Sequence, residues 1–136
     1  MGVEGGLYVN GTSFWQKTIF RNAYTNEISK TSVTNPILGR WIGWKVIIFN
    51  IRNDTAVRML SYIDGKDNGT WTKVSDLIDN GRWYAYTSSN DKTYATKCNR
   101  PGNYVITNPG NTVSFTSKVT IWGFKDLSIR EIQPPV

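Results

Sequence analysis

The stretch YIDGKDNGTW, Tyr62 to Trp71, gathers the residue types from which a metal loop, a glycan acceptor or a tight turn can be built. A calcium loop of the EF-hand kind with its glycine at Gly69 needs oxygen ligands at Asp64, at position 66 and at Asn68, and a glutamate at position 75. The chain has Lys66 and Ser75 there, so a self-contained loop fails. The competing reading is turn chemistry, which Asp-Gly and Asn-Gly dipeptides favour. Asn10, Asn53 and Asn68 each open an Asn-x-Thr sequon. Such sites matter only in an exported chain.

Catalytic chemistry has few candidates. The chain contains no histidine, which removes Ser-His-Asp and Cys-His nucleophile systems and histidine-ligated zinc. Glycoside cleavage needs two carboxylates roughly 5 to 9 Å apart, whereas Glu4, Glu27 and Glu131 are isolated. Tyr84, Tyr86, Arg82 and Gln16 supply the residue types of a polysaccharide lyase without that class's sequence signatures. Carbohydrate binding fits better, because sugar CH faces stack on indole and phenol rings while polar side chains meet the hydroxyls. The candidates are Trp83, Tyr84, Tyr86 and Trp15 as stacking rings, with Arg82, Asn80 and Asp79 as polar contacts. Against this stand the plain reading that large rings fill the core and the alternative of a structural or adhesive module that uses the same sheet to meet protein. Trp41 and Trp44 are assigned to the core from their apolar neighbours.

Sixteen Lys and Arg against ten Asp and Glu give a net charge of +6, with a pI near 9.6. Anionic partners are favoured. The cations are nevertheless scattered singly (Lys17, Arg21, Arg40, Lys45, Arg52, Arg58, Lys66, Lys73), which reads as a solvated surface and not as a nucleic-acid stripe. No run reaches the roughly 18 apolar residues of a membrane span. MGVEGG lacks the basic and apolar regions of a signal peptide. Cys98 is the only cysteine, so no intrachain disulfide forms.

The elements that must position these residues are strands. With 136 residues the chain is expected to form one domain over 1–136. Aromatics make up 13% of it, and β-branched residues are frequent, while turn signals recur about every ten residues. RWIGWKVIIFNI carries apolar groups at both parities and reads as a central strand covered on both faces. In AVRMLSYID, Val57, Met59, Ser61 and Ile63 share one face. SFWQKTIFR sets Trp15, Lys17 and Ile19 against Phe14, Gln16 and Thr18. TWTKVSDLID alternates with a bend near Ser75. WYAYT, NYVIT, TVSFT, KVTIWGF and DLSIREI complete the strand candidates. The pattern is all-β, an antiparallel sandwich.

GRWIGWKVIIFN, AVRMLSYIDGK and GTWTKV, Gly39 to Val74, together resemble the laminin G and concanavalin A-like jelly rolls, and FKDLSIREI resembles their closing strand. The resemblance covers about half the chain and rests on structural motifs. It implies a jelly-roll β-sandwich, an extracellular or cell-surface setting, a polysaccharide or glycan partner, and a calcium ion at the rim, which Asp64, Asp67 and Asp79 with Asn80 would hold if two hairpin ends meet in space. Members commonly carry extra strands before the point where this chain begins, so some N-terminal strands are expected to be lacking.

Overall fold

The computed structural model describes residues 2–20, 23–24, 27–84, 100–108 and 110–134, with backbone alone at 19–20 and 23–24. Among these residues seven strands form: β1 (Gly2–Leu7), β2 (Thr12–Phe20), β3 (Ala23–Tyr24), β4 (Ile28–Ser32), β5 (Gly43–Ile51), β6 (Ala56–Asp64) and β7 (Thr72–Asp79). No helix occurs among the described residues, and hence none long and apolar enough to cross a membrane. Every pairing is antiparallel. One sheet runs β1-β2-β3, with β4 also on β2; the other runs β5-β6-β7.

Two-residue alternation selects the inward faces. On β6, Val57, Met59, Ser61 and Ile63 are all buried, as their shared parity predicts. On β2, Trp15 and Lys17 are buried together. The core cluster is Trp15, Val57, Met59 and Trp83, flanked by Val3, Ile28, Leu77 and Val105. A register shift at Ser61 and Tyr62, where β7 skips Val74, supplies the bend foreseen near Ser75. Gly5 lets the sheets approach closely, since a Cβ there would sit 2.6 Å from Val46 Cγ1.

Polar groups join the two sheets through this core. Trp15 Nε1 donates to Ser75 Oγ at 2.7 Å, and Ser75 and Ser61 share a hydroxyl hydrogen bond of 2.6 Å. Lys17, with 0% of its surface exposed, donates to Asp79 Oδ2 at 2.8 Å and to the carbonyls of Trp83 and Tyr104, each at 3.0 Å. Three acceptors for three N–H groups fit a charged ammonium. Burial pushes the Lys17 ammonium below the ordinary lysine value, and Asp79 opposes that shift.

Several expectations are corrected. Lys17 is an interior ion-pair partner and not part of a solvated basic surface. Among the described residues β5 pairs with β6 alone and so stands at an edge and not at the centre, because β6 takes the middle of that sheet. Trp41 lies outside the core at 51% exposure, while Trp44 is half-buried with Nε1 donating to the Gly5 carbonyl at 3.1 Å. Beyond Asp79 no described residue is in a strand, so the described part of WYAYT, and all of NYVIT, TVSFT, KVTIWGF and DLSIREI, are irregular. Alternation marks a segment able to pair without specifying a strand for it to pair with.

Replacing Lys17 by Met leaves the Asp79 carboxylate buried and uncompensated, and should cost about 3–5 kcal/mol of unfolding free energy in a denaturant titration. Adding Asp79→Asn to Lys17→Met should recover part of the loss. A single-variant cost no larger than that of a surface lysine would show that the pair carries little weight.

Candidate functional site

The turn between β6 and β7 is wound around one carboxylate. Asp64 Oδ1 accepts the amide of Lys66 at 3.1 Å, and Oδ2 accepts those of Asn68 at 2.9 Å and Gly69 at 2.6 Å. Asn68 Oδ1 in turn accepts the Thr70 amide. Asp67 and Gly69 take positive φ values of 53° and 85°, the left-handed conformations that Asp and Gly tolerate in turns. Burial pushes the Asp64 carboxyl up, but the surrounding backbone amides outweigh it and hold it below the usual carboxylate range.

The turn delivers Trp71 to the start of β5. A Cβ on Gly43 would lie 2.7 Å from Trp71 Cη2, so glycine is what allows the indole to rest there. The Lys45 ammonium sits 4.4 Å from the Trp71 ring centroid and 4.7 Å from that of Tyr62. On the other side of the turn, Lys125 Nζ meets Asp67 Oδ2 at 2.5 Å and lies 5.2 Å from the Trp41 ring centroid. The Asp67 carboxylate raises the Lys125 pKa.

Arg40 fixes the approach to Trp41. Its guanidinium donates to the Gly65 carbonyl at 2.8 Å, to Thr34 Oγ1 at 2.7 Å, and to the carbonyls of Asn35 at 2.8 Å and Pro36 at 3.0 Å. The loop before β5 is thereby fastened to the turn after β6. At one end of the three-stranded sheet, Trp41 and Trp71 are 51% and 41% exposed, each with a lysine against its ring.

The residues singled out in the sequence do not assemble into a stacking platform. Trp15 and Trp83 are buried at 1% and 7% exposure, because the inward parity of β2 and the Lys17 contacts draw both rings into the core. Asp79 is committed to Lys17 and to the Gly81 amide. Asn80, Arg82 and Tyr84 are exposed, and Tyr86 lies outside the described residues. Gln16 occupies the β2 parity opposite Trp15 and Lys17.

The aspartates of the rim calcium reading are not all brought together. Asp79 pairs with Val57 and Asp64 with Gly43, so they stand at opposite ends of the sheet, about 23 Å apart along β6. The oxygens of Asp64 face backbone N–H groups, and Asp67 is neutralised by Lys125. Among the described residues no three His, Cys, Asp or Glu side chains cluster as a metal site would require.

Comparison with family models, curated proteins and solved structures finds no match. The site is therefore read from its own geometry. The sequence places Trp71 on an amphipathic segment from which its ring could point outward, but it assigns Trp41 to the core and ties neither Lys45 nor Lys125 to a ring. The signal available was Trp71 beside the Asp-Gly and Asn-Gly turn, where a ring has little core to enter.

Because Asp64 titrates below its unfolded value, its contribution to stability is complete above about pH 4 and is lost as pH falls through the depressed folded value. The amide resonances of Lys66, Asn68 and Gly69 should titrate together with a midpoint below the usual aspartate value. A midpoint at or above that value would remove Asp64 from the centre of the turn.

Proposed function

We propose that this chain is a non-catalytic carbohydrate-binding module, lectin-like in action, which takes polysaccharide at the turn-bearing end of the β5-β6-β7 sheet. The observation that carries this reading is the pair of half-exposed indoles, Trp41 and Trp71, each with a lysine ammonium at its ring. Indole faces stack on the apolar CH faces of sugars, and an adjacent ammonium meets a carboxylate or sulfate on the same chain. Acidic glycans are the favoured class, in keeping with the net charge of +6. Two antiparallel sheets joined through a common core support a β-sandwich frame, and the finer assignment to the concanavalin A-like jelly rolls is part of the proposal. So is an extracellular or cell-surface setting.

A glycan array containing neutral and uronate or sulfated polysaccharides tests this reading. Binding should concentrate on the acidic members and weaken with added salt. Trp41→Ala and Trp71→Ala should each lower affinity roughly tenfold, equivalent to about 1.4 kcal/mol, with the thermal transition nearly unchanged. Trp83→Ala should instead lower stability by about 3–5 kcal/mol, because its ring is core. An array without any bound glycan would reject the proposal.

A further inference from the structure

The sequence of β5, GWKVIIFNI, has the composition of a strand with neighbours on both sides, yet among the described residues it pairs with β6 alone. Its inward side chains Val46 and Ile48 are 41% and 39% exposed, although their cross-strand partners Ser61 and Met59 are both fully buried. The edge has little of the usual protection against pairing. It contains no proline, its nine-residue register with β6 has no bulge, and Lys45 is its only charge. The opposite edge strand, β7, carries Lys73 and Asp76 on the outer face, and the glycine-rich β1 carries Glu4.

We propose that β5 is a dimerisation edge: two copies of the chain pair their β5 strands antiparallel about a two-fold axis at Ile47, joining two three-stranded sheets into one of six. The register centred on Ile47 is the one that pairs all nine residues, running from Gly43 opposite Ile51 through Ile47 opposite itself. Val46 then lies opposite the partner's Ile48, so the two inward apolar side chains left half-bare in one copy cover each other in the pair. Lys45 falls opposite Phe49. The two lysines stand about 13 Å apart along the ladder, beyond a Debye length of about 8 Å at physiological salt. An isologous contact of this kind closes on itself and does not propagate into filaments. The chain's own unpaired segment 118–124 is a weaker occupant, because Trp122 and Phe124 pack on each other at 4.9 Å and Phe124 meets Phe115 at 5.7 Å.

Light scattering on the full chain across a concentration series should give a mass approaching twice 15.4 kDa as concentration rises. Ile47→Lys and Ile47→Glu each place like charges directly opposite, and each should raise the dimer dissociation constant about tenfold or more. An equimolar mixture of the two should restore the dimer. A chain that stays monomeric throughout, a dimer that persists in both variants, or folded variants that fail to recombine would overturn the proposal. Hydrogen exchange on the unaltered chain tests it without mutation, since β5 amides should gain protection with concentration. Protection independent of concentration would mean that the chain covers its own edge, and would equally overturn it.

Discussion

The structure turns on the buried ammonium of Lys17. One side chain reaches from β2 to the Asp79 carboxylate on β7 and to the carbonyls of Trp83 and Tyr104, so a strand of one sheet, a strand of the other and two irregular segments meet at a single nitrogen. Removing that charge from water is costly, and a well-packed apolar residue could stabilise the interior as much. What the ammonium adds is direction. Its acceptors lie at fixed distances, and together with the Trp15–Ser75 hydrogen bond they allow one alignment of the sheets where an oily interface would tolerate several.

This arrangement divides the three-stranded sheet lengthwise. At the Asp79 end the polar side chains turn inward and are consumed by packing. At the Asp64 end they are consumed by the turn itself, which leaves rings and lysines to face solvent. Arg40 serves that end as Lys17 serves the core, spending its donors on the carbonyls and hydroxyl of two loops. Since Arg40 ties the loop before β5 to the turn after β6, the placement of Trp41 relative to the turn that carries Trp71 depends on its guanidinium.

What could be read from the sequence was local. Alternation gave the inward face of β6 and the partition of β2, and the Asp-Gly and Asn-Gly dipeptides located the turn between β6 and β7. What could not be read was non-local. Parity shows that Trp15 and Lys17 share a face without showing that the face is interior, and a lysine on it argues wrongly for solvent until Asp79 is brought 62 positions closer by folding. The same limit misplaced the site. Trp83 follows a turn and is flanked by polar residues, much as Trp71 is, yet it packs with Trp15, Val57 and Met59 and against Lys17, contacts that only folding creates. The described residues after Asp79 carry strand-like alternation without strand structure, because composition specifies the ability to pair and not the partner.

The six tryptophans also make the molecule its own optical reporter. Trp15 and Trp83 are sealed in the interior, Trp44 is half-covered, and Trp41, Trp71 and Trp122 stand open to water. Their fluorescence therefore separates into a blue component blind to soluble quenchers and a red component open to them. The first follows the integrity of the sandwich, and the second follows whatever settles on the turn-bearing end, so folding and occupancy can be watched in one cuvette without a label.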